Sequence, residues 1–130
     1  MFIQIQTPGV NTVVLREQPG WVIRHNRLFD VTPDAAPSTV VIGGNVSIWT
    51  LCFTENLLQA VNEGKGLILD VGWYPEADPT GCYKAKAIRI DAVDRENPEM
   101  YDWENPVATL ETRSLADLLI GIRRIMEENS

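Results

Sequence analysis

The clearest pattern in the chain is a helical repeat of apolar residues near its C-terminus. Between positions 115 and 126 they recur three, four and seven residues apart, and the charged residues fall at other positions of the helical wheel. Ser114, with Asp117 three residues later, has the form of a capping box. The pattern predicts an amphipathic helix that packs on a sheet. Its apolar positions are Leu115, Leu118, Leu119, Ile122, Ile125 and Met126.

Shorter alternating or β-branched runs predict strands in the rest of the chain. Between residues 66 and 74, alternate residues from Leu67 to Trp73 are apolar, which places Trp73 in the core. The strand predicted over 83–91 alternates at first, but Ile88 then falls on the face of Lys84 and Lys86. A β-bulge, or a change in what covers the sheet, would explain this break. Further strands are predicted over 2–5, 10–16, 21–29, 39–42, 46–53 and 107–111, with 10–16 and 21–29 forming a hairpin.

A second, shorter helix is predicted from Thr54 to Gly64. Thr54 is a suitable N-cap, Leu57, Leu58 and Val61 form an apolar patch, and Gly64 ends the segment. The predicted fold is therefore α+β: a mostly antiparallel sheet with the C-terminal amphipathic helix and this shorter helix packed on it. No repeat or linker divides the chain, and its 130 residues suit one domain, so residues 1–130 are predicted to form a single domain.

The overall charge and hydropathy narrow the possible partners. The chain carries 18 acidic and 11 basic residues, a net charge of −7, which argues against nucleic-acid binding. Its apolar runs are shorter than the ~20 residues that span a bilayer, so we expect no membrane association. The N-terminus shows neither a basic segment nor a hydrophobic signal core, which predicts a cytoplasmic protein.

Most of the excess negative charge lies in one part of the chain. Residues 70–104 carry nine acidic and four basic residues, a net charge of −5, and the density is highest over 91–104. Such a run is typical of a solvated loop. The aromatic residues within it, with Tyr83 opening the preceding predicted strand, favour a protein interface in which carboxylates steer the partner and rings supply contact area.

The candidate partner-binding residues all belong to this acidic segment. Carboxylates are expected to steer the partner, and Tyr101 and Trp103 are expected to anchor it; residues 73–81 are a second choice. The carboxylates are Asp91, Asp94, Glu96, Glu99, Asp102 and Glu104.

Side chains suited to catalysis or metal binding are sparse. His25 is the single histidine, and no serine or cysteine stands in a G-x-S-x-G context. Cys52 lies in an apolar run and is predicted to be buried, whereas Cys82 adjoins a glycine in a predicted turn. The two cysteines lie 30 positions apart, which matches no zinc spacing, and the acidic run lacks the calcium-loop pattern. We expect no enzyme, no cofactor and no metal site.

Three segments have a characteristic layout. Residues 70–83 read DVGWYPEADPTGCY, residues 103–106 read WENP, and residues 111–115 read ETRSL. This layout, over roughly residues 67–127, resembles the immunity proteins encoded beside bacterial polymorphic toxins, including those of contact-dependent growth inhibition systems. The resemblance implies a cytoplasmic, non-catalytic protein that binds and neutralises one cognate toxin domain, often a nuclease. It implies no particular binding residue.

The charge pattern is compatible with that function. A nuclease presents a cationic cleft to phosphates, and carboxylates along one segment can enter the cleft and accelerate association. Two alternatives stay open. One is a phage or regulatory nucleic-acid mimic that blocks a basic protein. The other is a small-ligand-binding or enzymatic domain, which needs a concave pocket with converging polar groups.

Overall fold

The computed structural model of the chain describes residues 11–33, 41–42, 46–90 and 103–130. Seven strands and two helical segments lie in these ranges, whereas the strand predicted over 2–5 lies outside them. The elements are β1 (Trp21–Asn26), β2 (Val41–Ile42), β3 (Val46–Ser47), α1 (Ile48–Cys52), β4 (Leu58–Asn62), β5 (Leu67–Tyr74), β6 (Cys82–Arg89), β7 (Ala108–Thr112) and α2 (Leu115–Glu128).

Five of the strands form one antiparallel sheet in the order β1-β4-β5-β6-β7. Strands β4 to β7 form a meander, in which each strand pairs with the next one along the chain. Strand β1 pairs with β4 at the edge, and its register shifts between Ile23 and His25. Strands β2 and β3 pair in a separate two-stranded sheet.

Helix α2 packs on one face of the five-stranded sheet and encloses the main core. The alternation of β5 buries its odd-numbered residues from Leu67 to Trp73 on this face. Ser114 is the N-cap, and its hydroxyl oxygen accepts from the Asp117 N–H at 3.1 Å. The buried residues of α2 are Leu115, Leu118, Ile122, Ile125 and Met126. The predicted α+β class and the amphipathic C-terminal helix are confirmed.

Two side-chain hydrogen bonds attach the C-terminal end of α2 to the sheet edge. The Trp21 indole N–H donates to the Met126 carbonyl at 3.0 Å. Asn62 is buried, and its amide N–H donates to the Asn129 carbonyl at 2.9 Å while its oxygen accepts from the Lys65 N–H at 3.1 Å. Because a buried amide is costly to leave unpaired, these contacts fix where the helix ends relative to β1 and β4.

Trp73 lies at the centre of an aromatic cluster in this core. Its ring centroid is 4.8 Å from that of Phe53, 5.0 Å from that of Tyr83 and 5.5 Å from that of Trp49. Trp73 is fully buried, as its strand pattern predicts. Tyr83 is only 1% exposed, and burial raises its pKa. The expectation that Tyr83 adds to an acidic interface is wrong, because its ring belongs to the core.

The prediction of a shorter helix from Thr54 to Gly64 is wrong, because this segment contains strand β4. Its apolar residues also satisfy strand alternation, with Leu58 and Ala60 buried in the core on the α2 side of the sheet. Backbone bonds from the Leu57 N–H to the Val71 carbonyl, and from the Trp73 N–H to the Thr54 carbonyl, extend its pairing with β5. Tertiary pairing therefore decides between two patterns that the local sequence allows.

The strand predicted over 46–53 is largely replaced by the five-residue helical segment α1. Trp49, Cys52 and Phe53 follow an i, i+3, i+4 spacing, and the helical turn buries all three. A strand would have divided them between opposite faces. Helix α2 is the only long helix among the described residues, and none of the helices there is long and apolar enough to cross a membrane.

The hairpin predicted from 10–16 and 21–29 is reduced to a single antiparallel bridge between Thr12 and Phe29. One backbone hydrogen bond on each side of the bridge supports it, from the Val13 N–H to the Leu28 carbonyl and from the Asp30 N–H to the Asn11 carbonyl. Strand β1 instead forms its antiparallel pairing with β4.

The break in alternation at Ile88 reflects a change in what covers the sheet. The pairing of β5 with β6 runs without a register shift from Leu67 opposite Arg89 to Tyr74 opposite Cys82, so there is no bulge. Ile88 is instead buried in a second apolar cluster on the face opposite α2.

We predict that Gly72→Ala destabilises the fold. A Cβ atom at Gly72 would lie 2.1 Å from the Glu55 backbone oxygen, so the segment over this strand would have to move. We expect the free energy of unfolding to fall by about 1–3 kcal/mol, measured by chemical denaturation. Gly64→Ala is the control, because its nearest neighbour would be 3.7 Å away and its effect should stay within about 0.5 kcal/mol. Equal losses of stability in the two variants would contradict the close approach of the Glu55 backbone oxygen to Gly72.

Candidate functional site

The face of the five-stranded sheet opposite α2, which we call the distal face, combines an apolar region with a polar one. Strand alternation places these side chains between the core residues of the same strands. The apolar region is formed by Val61, Ile68, Ile88 and Ile90, which are buried, with Trp103 packed against them. The polar region contains His25, Gln59, Asp70, Tyr74, Lys84, Lys86, Thr109 and Glu111.

The apolar region joins two points of the chain that lie on either side of residues 91–102. Ile90 follows β6, and its N–H donates to the Gly66 carbonyl at 2.8 Å. Trp103 is half-buried against the same cluster, and its backbone carbonyl accepts from the Lys86 ammonium at 3.4 Å. Ile90 and Trp103, the described residues on either side of 91–102, therefore belong to one apolar cluster on the distal face.

A row of polar residues crosses all five strands in register. His25 lies opposite Gln59, Gln59 opposite Asp70, Asp70 opposite Lys86, and Lys86 opposite Thr109. Side chains directly opposite each other on neighbouring strands have Cβ atoms about 4.5–5.5 Å apart. Adjacent members of this row are therefore close enough to interact with one ligand.

Asp70 occupies the centre of this row on the middle strand. Burial has the largest effect on the pKa of the Asp70 carboxyl group and raises it. A side-chain hydrogen bond from Gln59 and the charge of His25 act in the opposite direction and lower the pKa. Within the described ranges, no cationic side chain lies within 4.0 Å of the Asp70 carboxylate. A partly buried carboxylate without an ion-pair partner is a feature associated with functional sites.

Two cavities on the distal face share Asp70. The first, of about 300 Å³, is lined by Asp70, His25, Asn56 and Gln59, and the His25 Nε2 lies 2.9 Å from the Asn56 carbonyl oxygen. The second, of about 360 Å³, is larger. It is lined by Asp70, Tyr74, Lys84, Lys86 and Trp103.

The second cavity holds charges of both signs beside two aromatic rings. The Lys84 ammonium lies 6.0 Å from the centroid of the Tyr74 ring and 4.0 Å from the Glu111 carboxylate. Burial raises the pKa of Tyr74, and the carboxylates of Asp70, Glu55 and Glu76 raise it further. The cavity is therefore a polar pocket with aromatic walls.

The structure describes only the end of the predicted interface. Trp103 is half-buried on the distal face, and Glu104 is exposed. The other predicted residues lie outside the described ranges. They are Asp91, Asp94, Glu96, Glu99, Tyr101 and Asp102.

The second-choice segment, 73–81, is tied to the core at its first residue. The Trp73 indole N–H donates to the Asp78 carbonyl at 2.8 Å, and the Arg113 guanidinium lies 5.4 Å from the Trp73 ring centroid. Arg113 also donates to the Gly81 carbonyl. Because these contacts close the segment over a buried ring, Trp73 is not available to a partner.

Sequence reasoning missed the polar row. An acidic residue in the middle of an apolar strand, Asp70, was the signal that could have drawn attention to it. His25, the single histidine, lies half-buried in β1 on this face. Its alignment with Asp70 depends on β1 pairing with β4, whereas the sequence pattern predicted a hairpin with 10–16.

The cysteines and acidic residues of the described ranges offer no metal centre. No group of three or more His, Cys, Asp and Glu side chains there is placed to hold a metal ion. Cys52 is buried as predicted, and burial raises its pKa to about 11. Cys82 is half-buried, with its Sγ 3.9 Å from a Glu111 carboxylate oxygen.

Comparison of the chain with protein-family models, with curated proteins and with solved structures finds no match.

We predict that Asp70→Asn stabilises the protein near pH 7. The folded-state pKa of Asp70 is raised, so the protonated form favours the fold. The free energy of unfolding should fall as pH rises from 3.8, the ordinary pKa, through the folded-state value. The amide cannot ionise, so the variant should not show the fall in the free energy of unfolding that comes from Asp70. Chemical denaturation at several pH values across that range measures the difference.

Asp78→Asn is the matched control, with the opposite sign. Hydrogen bonds from the Thr80 N–H and hydroxyl lower the pKa of Asp78, so its ionised form favours the fold. This contribution is present above the ordinary pKa and is lost as pH falls, so the variant should be less stable near pH 7. A loss of stability in Asp70→Asn as well would contradict the burial argument.

Proposed function

We propose that this protein is an inhibitor that binds and neutralises a basic toxin domain, in the manner of an immunity protein, through residues 91–104. The observation that carries the proposal is the packing of Ile90 and Trp103 in one apolar cluster on the distal face. We propose further that the protein acts in the bacterial cytoplasm and has no catalytic role. The toxin domain would be a nuclease, whose substrate-binding cleft must be cationic.

The charge of the segment suits such a partner. Residues 91–104 contain six carboxylates and one arginine, a net charge of −5 over fourteen residues. Opposite charges on two proteins raise the rate of association toward about 10⁸–10⁹ M⁻¹s⁻¹ at low ionic strength. Fast capture is what a cell needs when it makes a toxin that can attack its own nucleic acids.

The anchoring of the segment supports the same function. Ile90 is 7% exposed and hydrogen-bonded to the turn before β5, and Trp103 packs against the cluster that contains Ile90. Fixing both ends limits the positions that the intervening twelve residues can reach. Such restriction lowers the conformational entropy lost on binding and so favours affinity.

Trp103 is suited to anchor the interface. It is packed against the apolar cluster and is only half-buried as a residue. Tryptophan is enriched among the residues that dominate binding energy, because it buries a large area at a small entropy cost. Glu104, directly after it, is exposed and can add a carboxylate beside the anchor.

We predict that co-expression with the product of the neighbouring gene yields a stable complex. The two proteins should co-purify, and cells that make both should survive conditions in which the neighbouring product alone stops growth. Failure of both co-purification and protection would contradict the proposal. A non-toxic nucleic-acid-binding partner would instead favour the mimic of nucleic acid.

We predict that replacing Glu99, Asp102 and Glu104 together by lysine slows association with the toxin domain by about tenfold or more at low salt. The salt dependence of the rate should also flatten, because the long-range attraction is lost. Stopped-flow fluorescence measures both quantities.

A control triple variant makes the same change in net charge elsewhere. Glu17, Asp30 and Glu128 are exposed and lie outside residues 91–104, so their replacement by lysine should slow association much less. Equal slowing by the two triple variants would show that only the total charge of the protein matters. An unchanged association rate in the variant of residues 99, 102 and 104 would show that the interface lies elsewhere.

A further inference from the structure

The larger cavity of the distal face has the dimensions of a small-molecule site. It measures about 360 Å³, and ligand pockets usually span about 300–1,000 Å³. It lies over the central strands β5 and β6, whose register positions four of its lining residues, while Trp103 lies outside the strands. The four are Asp70, Tyr74, Lys84 and Lys86. Rigid elements of this kind place ligand-binding groups more accurately than loops do.

One side of the cavity offers a carboxylate. Asp70 lies opposite Lys86 in the sheet, yet the Lys86 ammonium donates to the Trp103 carbonyl at 3.4 Å. Among the residues that the structure describes, Asp70 has no cationic side chain within 4.0 Å. Burial raises its pKa, so a ligand cation that replaced the lost water would favour the ionised form.

The other side offers two ammonium groups. Lys84 and Lys86 are two residues apart on the same face of β6, so their backbones are about 7 Å apart. Each ammonium has three donors. The contact of Lys84 with Glu111 is long, at 4.0 Å, and Lys86 contacts a neutral carbonyl oxygen, so both retain donors for an anionic group.

Two aromatic rings complete the lining. Tyr74 ends β5 on this face, and its hydroxyl lies 3.5 Å from the Glu55 carbonyl oxygen. Trp103 is packed against the apolar cluster and faces the cavity from the other side of the acid and the lysines. Aromatic rings in the lining favour a planar or apolar group in the ligand.

We propose that this cavity binds a small aromatic zwitterion of the α-amino acid class. The ligand ammonium would pair with Asp70, its carboxylate with Lys84 and Lys86, and its ring would contact Trp103, which packs on the apolar cluster in the next row of the sheet. A purely anionic ligand would face Asp70, and a purely cationic one would face two lysines. Only a ligand with both charges supplies a counter-charge for Asp70 and for Lys86, neither of which has an ion-pair partner among the described residues. This inference goes beyond the proposed toxin inhibition and does not depend on it.

Three probes with one common ring test the charge requirement. L-phenylalanine carries both charges, 2-phenylethylamine only the ammonium, and 3-phenylpropanoate only the carboxylate. Their dissociation constants for the full chain are measured by NMR titration. We expect L-phenylalanine to bind about tenfold or more tightly than either single-charge analogue, because a charged hydrogen bond is lost in each case. Glycine, which lacks the ring, should also bind about tenfold more weakly.

Two variants separate the contributions of the two sides. Asp70→Asn should weaken L-phenylalanine about tenfold without weakening 3-phenylpropanoate. Lys86→Gln should weaken both of these probes without weakening 2-phenylethylamine. Lys65→Gln is the matched control, because Lys65 is exposed in the turn between β4 and β5 and should change none of the affinities.

The proposal is overturned if L-phenylalanine does not bind, or if either single-charge analogue binds as tightly. It is also overturned if Lys65→Gln has the same effect as Lys86→Gln. Preferential binding of 2-phenylethylamine would indicate a site for a basic side chain, and preferential binding of 3-phenylpropanoate a site for an anion. These titrations contain no toxin domain, so their failure is distinguishable from a failure of the proposed inhibition.

Discussion

The antiparallel register that holds β5 between β4 and β6 is the constraint on which the rest of the structure depends. With Leu69 opposite Ala60 on one side and Ala87 on the other, every second residue of β5 turns toward α2. The residues between them, including Asp70, must then point to the distal face. A slip of one residue would expose the core residues and bury the carboxylate, so core stability and site geometry are set together.

The same register produces a distal face of two chemically different regions. Ile68 and Ile88 are paired at one end, and Asp70 and Lys86 are paired in the next row. The apolar end holds Trp103 and with it the end of the acidic segment, while the polar row lines the cavities. Protein binding and small-molecule binding, as proposed above, would therefore occur next to each other and share the Trp103 side chain.

Predictions from sequence succeeded where one pattern excluded the others. Helix α2 has six apolar residues at helical spacing and a capping serine, which no strand could satisfy. The β5 strand alternates over eight residues and was placed almost to the residue. The predictions for 46–53 and 54–64 were wrong because short apolar runs satisfy both the helical and the strand period. Packing against Trp73 favours the helical turn in the first segment, and pairing with β5 favours the strand in the second.

Local sequence was sufficient for α2, for strands β5 and β6 and for the concentration of negative charge over 91–104, because each depends on residues that are neighbours in the chain. It was not sufficient for the polar row. His25, Gln59, Asp70, Lys86 and Thr109 lie on five strands spread over 85 residues. Their alignment needs the pairing of β1 with β4 across the sheet, and such a non-local contact leaves no periodic signal in the chain. Only the assembled sheet brings these groups together.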